Sequence, residues 1–439
     1  MTSQSSSSTR NHGRSHDIVV FGATGFVGTL ITEYLAEHAP ADVRVALAGR
    51  RQEKLRSLRD DISSRHPRVK DWPLVVADAA SPTEMKALAE STNVVLTLVG
   101  PYAQYGRELV KACAEAGTDY VDLTGEVLFA YESVEKYHDV AKQSGARIIH
   151  SCGFDSVPSD FAVNFLFTEL IRQGHEKVEL WDTTLIVKHL RGGMSGGTID
   201  SFRTQVAQTK ADPELAKIAA NPDALSSFGS GPGGSNQPDN AVVRGKDVHP
   251  SIHGWLGPFF MGPHNTRIVR RTASLLADET TSSAAHEYGS GFRYREVMSV
   301  GDGPKSWLKA QRLKYGMSAM KFAMATPQLA KFVDAKLPKP GEGPSAEQRA
   351  KGRFTYELYS NVRLDGDTQE TWKCEVELEQ DPGYDGTAMM ISNAALALVC
   401  DRDRLPKRTG VLTPATGLGE PYLERLQAGG MKFSAKKMR

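Results

Sequence analysis

The chain has 439 residues, with 53 basic and 52 acidic side chains and a formal net charge of +1. It is longer than one ordinary domain, and its charge gives no pull toward nucleic acid. Four scattered cysteines (Cys113, Cys152, Cys374, Cys400) form neither a metal-ligand pattern nor a disulfide framework, and no run approaches the roughly 20 apolar residues of a spanning helix. The expectation is a soluble, cytoplasmic protein without a metal.

Residues 1–15 are polar and serine-rich; they are expected to be disordered and carry no apolar core of a signal peptide. An apolar strand, Ile18 to Phe21, then runs into Gly22, Gly25 and Gly28 and a helix from Phe26 to His38. That strand–turn–helix is a device for holding a pyrophosphate. One glycine permits the tight turn, one lets backbone approach the phosphates, and one lets helix and sheet pack closely. Thr24, Phe26 and Val27 complete the loop and the first helical turn, whose N–H groups and dipole face the anion.

The next strand, Val43 to Ala48, ends at Gly49-Arg50-Arg51, with Lys54 one turn into the following helix. An NAD site would place a carboxylate there to bind the ribose hydroxyls. Guanidinium groups instead suit a 2′-phosphate, and cations at a helix start call for a compensating anion. The cofactor read from these residues is NADP(H).

Alternation continues with helix 52–64, strand 74–77 ending at Asp78, helix 82–90, strand 93–99, helix 108–116 stopping at Gly117, strand 120–123, helix 128–144 and strand 147–150. This predicts an α/β fold: a Rossmann doubly wound parallel sheet over 16–155. Residues 156–386 then read as an α+β domain with antiparallel-looking strands at 177–190, 292–300, 354–364 and 370–378, a Gly/Ser-rich surface loop at 226–245 and a connector at 338–352. Helix 387–400 is apolar almost all round and should be buried. The C-terminal segment, 387–439, is expected to return to the Rossmann domain.

Ligands of such sheets sit beyond the carboxyl ends of the strands. Asp78 either accepts from the adenine amino group or caps a surface turn. Gly100, Pro101 and Tyr102 form a turn against which a cofactor could lie. Asp122, Glu126 and Asp155 follow the fifth and sixth strands; with Tyr102 they are the candidate proton donors, although Asp155 and Ser156 could equally cap the helix before Pro158. Arg191 to Thr198 (RGGMSGGT) reads as an anion cradle or a lid. The Trp255–Pro263 block (WLGPFFMGP) reads as a lipid-channel lining, a membrane contact or a buried loop. No Tyr-x-x-x-Lys pair or His-Glu-x-x-His metal motif occurs.

The blocks VVFGATGFVG, LAGRR, VGPY, YVDLTGE, GFDSVPSD, GGMSGGT, PFFMGPHNTRIVRR, PKPGEGPSAEQRAKG and GVLTPATGLGEPYLERL together resemble the saccharopine dehydrogenase-like oxidoreductases, within them the trans-acting enoyl reductase branch. The resemblance implies a Rossmann domain, a central α+β domain and a C-terminal return. It also implies reduction of a double bond in a hydrophobic, lipid-linked substrate. It leaves open a homodimer and peripheral contact with a membrane, mitochondria or lipid droplets. Two rivals remain at this point: an imine-forming amino-acid dehydrogenase, which needs arginines in its pocket, and a non-catalytic NADP-binding scaffold at lipid surfaces.

Overall fold

The structure, a computed structural model, describes residues 13–192, 196–226, 238–278, 287–326, 328–329, 343–366 and 368–439, the side chains of residues 196 and 198 excepted. Most of the expected N-terminal tail, residues 193–195 of the glycine-rich turn, 227–237 of the surface loop and 338–342 of the connector lie outside the described residues. The chain divides into two compact units. One comprises the chain up to Thr124 with Glu132–Gly153 and Tyr384–Gly429; the other comprises Gly125–Tyr131, Phe154–Gly383 and Gly430–Arg439.

The first unit carries β1 (His16–Phe21), α1 (Phe26–His38), β2 (Val45–Gly49), α2 (Gln52–Ser63), β3 (Leu74–Val76), α3 (Pro82–Ser91), β4 (Thr92–Thr97), a one-turn α4 (Tyr102–Tyr105), α5 (Arg107–Ala116), β5 (Asp119–Val121), most of α6 (Val127–Ser144) and β6 (Arg147–Ile149). Its seven strands lie in the order β13-β6-β5-β4-β1-β2-β3, with β13 at Gly410–Leu412. Every pairing is parallel. Strand order reverses between β1 and β4, which is the switch point where such sheets bind ligands. β1, β2 and β4 are near-continuous apolar runs because helices cover both faces of a parallel sheet.

The helix expected to be buried from Thr387 is so. It is α13 (Thr387–Cys400), whose residues Thr387 to Val399 are all buried; it packs on α1, β4, β5 and β1. Residues 410–428 add β13 and α14 (Pro414–Ala428), a kinked helix with a capping box at Thr413. The Tyr422 hydroxyl donates to the Met390 carbonyl at 2.9 Å, joining α14 to α13.

The second unit contains α7 (Val157–Arg172), β7 (Val178–Arg191), α8 (Gly196–Ala211), α9 (Pro213–Ala220), β8 (Val243–Arg244), β9 (Trp255–Pro258), α10 (Gly262–Ala277), β10 (Arg293–Ser299), α11 (Ser306–Ala325), α12 (Ala346–Arg349), β11 (Arg353–Leu364), β12 (Thr368–Leu378) and β14 (Lys432–Lys437). Its sheet runs β14-β12-β11-β7-β10-β9-β8. The antiparallel expectation needs correction at one pairing, since β10 lies parallel to β7 and the sheet is mixed. The expected single return of 387–439 also ends early: β14 pairs antiparallel with β12 in this second sheet. Its KFSAKK sequence suits an edge strand, where lysines discourage further pairing.

Candidate functional site

The glycines of the β1–α1 turn are required for different reasons. Gly22 has φ of +92°, and a Cβ there would meet Val99 Cγ2 at 3.0 Å. A Cβ on Gly28 would stand 2.5 Å from the carbonyl oxygens of both Gly22 and Ala23, so no side chain fits. Gly25 is different: the nearest atom to its Cβ would be the Gly22 oxygen at 3.4 Å. The protein itself does not demand glycine at 25; close approach of a phosphate would. Gly25 caps α1 without a side-chain bond, and the first intrahelical bond runs from Thr29 N–H to the Gly25 carbonyl. The N–H groups of Phe26, Val27 and Gly28 precede that bond and lie at the positive helix end. Thr24 is exposed in the turn, and the Phe26 ring packs edge-on against Tyr384 at 5.1 Å.

Arg50, Arg51 and Lys54 are exposed past the end of β2, and none of their side chains has a hydrogen-bond or ion-pair partner among the described residues. Arg51 occupies the N-cap of α2, where a cation gains nothing from the dipole. This arrangement fits an external anion. Asp78 is less available. One of its oxygens accepts from Ala80 N–H at 3.0 Å, and its own N–H donates to Glu84 Oε2 at 2.7 Å, so it serves the turn into α3. Gly100 is exposed and joined by a cis peptide bond to Pro101.

The four candidate proton donors separate clearly. The buried Tyr102 hydroxyl donates to the Thr97 carbonyl at 3.3 Å and accepts from Leu123 N–H at 3.2 Å, linking the ends of β4 and β5. Asp122 is fully buried. Its carboxylate accepts from Tyr120 Oη (2.9 Å), His150 Nδ1 (2.7 Å), Thr124 N–H (3.0 Å) and Ser151 N–H (2.9 Å). It is a clamp holding the ends of β5 and β6, and it keeps Ser151 at a φ of +63°, which only such restraint sustains. Asp122→Ala is therefore expected to cost about 4 kcal/mol or more, since each buried donor left unpaired costs about 1–3 kcal/mol, lowering the melting temperature by roughly 5 °C in a chain of this length. Thermal unfolding followed by circular dichroism checks this.

In the second unit, Glu126 is buried and accepts from Ser201 Oγ at 2.7 Å, which ties it to α8. Asp155 stands apart. Its half-buried carboxyl takes no hydrogen bond from the described residues, and burial alone pushes it up to about 6. Neither it nor Ser156 caps α7 through its side chain; Ser156 Oγ is bonded to Asn265 Oδ1 at 3.1 Å instead.

Three buried polar residues were not foreseen from the sequence. His150 orients Asp122. Tyr356, on β11, has a buried hydroxyl with no partner among the described residues, and burial with the charges of Glu296 and Asp155 raises it well above the ordinary phenol range. Rings of Phe354 (5.0 Å), Phe154 (5.8 Å) and Phe259 (6.4 Å) surround it. Glu296 is buried on β10, accepting from Tyr294 Oη at 2.8 Å and Asn265 Nδ2 at 3.0 Å. Burial outweighs these bonds and pushes it up to about 7. The period-two pattern of β10 and β11 could have placed Glu296 and Tyr356 on the covered face. The WLGPFFMGP block is mostly a buried segment, with Phe260 exposed.

Because folding raises the affinity of Glu296 for its proton, its contribution to stability is full below about 4.5 and is lost as pH rises through about 7. Glu296→Gln should flatten the fall in melting temperature between pH 5 and pH 8. An unchanged fall would reassign that dependence to other groups.

Among the described residues, no three metal-ligating side chains cluster, and no helix is long and apolar enough to cross a membrane. Residues 18–149 match the saccharopine dehydrogenase NADP-binding domain. The whole chain is 40% identical over 97% of its length (98% of the relative) to a Mycobacterium tuberculosis protein provisionally named a trans-acting enoyl reductase. It is 38% identical over 97% (99% of the relative) to the trans-acting enoyl reductase of Mycobacterium bovis.

The chain belongs to the trans-acting enoyl reductase family. It is an NADP-dependent oxidoreductase with a saccharopine dehydrogenase-like fold. The apo saccharopine dehydrogenase (L-Glu forming) of Saccharomyces cerevisiae superposes with a TM-score of 0.50 at 14% identity, covering 97% of this chain and all of that one. That likeness speaks to architecture alone.

Proposed function

We propose that this member of the family reduces the carbon–carbon double bond of an α,β-unsaturated acyl chain on a hydrophobic, lipid-linked substrate, with Asp155 giving the proton. The observation that carries the reading is the protonatable carboxyl of Asp155, which takes no hydrogen bond from the described residues and follows Phe154, whose ring packs with the buried rings of Phe354 and Tyr356. The names of the mycobacterial relatives support the same bond type. Bound NADPH supplies the hydride. Gly22, Thr24, Gly25, Phe26, Val27 and Gly28 hold its pyrophosphate, Arg50, Arg51 and Lys54 its 2′-phosphate, and the carboxylate oxygen of Asp78 that the α3 turn does not use accepts from its adenine amino group. Gly100, Pro101 and Tyr102 form the backbone wall beside the nicotinamide. Asp155 keeps a proton available at near-neutral pH because burial resists its ionisation. A substrate of this kind resides in or beside lipid, which places the work at a membrane or droplet surface.

An amino-acid substrate would need unpaired cations to grip its carboxylates. The buried arginines of α10 are otherwise engaged. Arg267 binds Asp239 (2.9 Å) and the carbonyls of Asn221 and Ala219, Arg270 binds those of Pro222 and Tyr294, and Arg271 that of Leu225. The direct test offers the purified protein NADPH with either a long-chain 2-enoyl thioester or glutamate plus an aldehyde. Oxidation of NADPH with the thioester alone is expected; oxidation with the amino acid pair alone would overturn the reading.

A further inference from the structure

Helix α11 carries apolar side chains on two opposite faces. The inner one is accounted for: Ser306 and Ala310 are buried, Leu313 and Ala310 pack against Gly257 of β9, and α8 packs alongside. Lys210 Nζ on α8 also donates to the Ala325 carbonyl at 2.9 Å, fixing the helix end. On the far side, Leu308, Tyr315 and Phe322 recur every seven residues, and Trp307 stands beside the first of them. Seven residues make nearly two turns, so these side chains form one stripe about 21 Å long. All four are exposed, Tyr315 at 66% and Phe322 at 67%. Scattered exposed apolar residues need no explanation, but an aligned aromatic stripe does.

We propose that this outer face of α11 seats the protein on an anionic lipid surface. The charge around the stripe selects that occupant. Lys305, Lys309, Arg312, Lys314 and Lys321 flank it, and the sequence holds no acidic residue between Asp302 and Asp334. None of these five cations forms an ion pair among the described residues. Trp and Tyr favour the headgroup level, Leu and Phe reach the acyl boundary, and flanking Lys and Arg turn toward lipid phosphates. A second copy of the chain is a poorer fit, because pairing two such faces would bring ten uncompensated cations together. The proposal locates the lipid contact of the functional reading on one helix, and it stands or falls separately from the reaction.

Flotation of the full-length protein with vesicles tests it. The wild type is expected to float with equimolar phosphatidylcholine and phosphatidylglycerol at least about tenfold more than with phosphatidylcholine alone. The Tyr315→Ser/Phe322→Ser variant should lose about tenfold or more of that binding, as should Lys309→Glu/Lys314→Glu/Lys321→Glu. Both variants should keep the wild-type melting temperature and NADPH affinity, since the altered side chains are exposed. Asp155→Asn, tested alongside, should float like the wild type, so a failure of the catalytic reading leaves this result intact. The proposal is overturned if the wild type does not float with anionic vesicles, or if Tyr315→Ser/Phe322→Ser floats undiminished. It is overturned equally if lipid-free protein is a dimer that this variant splits, because the face would then be a self-interface.

Discussion

Asp155→Asn is expected to slow NADPH-dependent reduction by about 100-fold or more, the ordinary scale for losing a positioned general acid. The amide retains the size and polarity of the carboxyl but has no acidic proton to give. In the wild type, kcat/KM should fall as pH rises through about 6, because the donor must be protonated and burial holds it there. That limb should vanish in the variant, and NADPH binding should stay unchanged. A pH–rate profile on one enoyl thioester reads all three features. Full activity with an unaltered profile would remove Asp155 from the chemistry and turn attention to Tyr356, whose buried hydroxyl also has no partner among the described residues.

Replacing both guanidinium groups (Arg50→Asp/Arg51→Asp) should weaken NADPH binding by roughly 100- to 1000-fold while changing NADH binding little. Each charge-assisted bond to a phosphate is worth about 1.5–3 kcal/mol, and the introduced carboxylates add repulsion. Arg50 and Arg51 are exposed and their side chains have no partner among the described residues, so folding should not suffer. Fluorescence titration with both coenzymes, repeated at high salt, measures the effect. Equal losses for NADPH and NADH would show that the pair does not read the 2′-phosphate.

The Rossmann unit was legible in the sequence because each layer writes a local signal. Strands buried on both faces are unbroken apolar runs, Gly117 stops α5 in the left-handed conformation, and the 22-25-28 glycines announce the turn. The chemistry of the site was less legible. Asp122 and Asp155 look alike as acids after adjacent strands, and only the fold reveals the four donors gathered on the first. Two of those, His150 and Ser151, lie 28 and 29 residues further along. The helix over 262–277 escaped because buried arginines resemble surface ones until their partners, the carbonyls of 219–225, are known. The parallel pairing of β10 with β7 escaped too, since no strand declares its direction by composition. Lysine-rich β14 read as part of the C-terminal return, yet it supplies a sheet edge.

The most direct measurement follows the hydrogen itself. A long-chain 2-enoyl thioester is incubated with the protein and NADPH carrying deuterium at both hydrogens of the nicotinamide C4, and the acyl product is analysed by mass spectrometry. The expected product is a saturated acyl chain with one deuterium on the former double bond and an intact thioester carbonyl. Recovery of the unsaturated chain unlabelled, or an alcohol with deuterium on the carbon that had been the thioester carbonyl, would contradict the account.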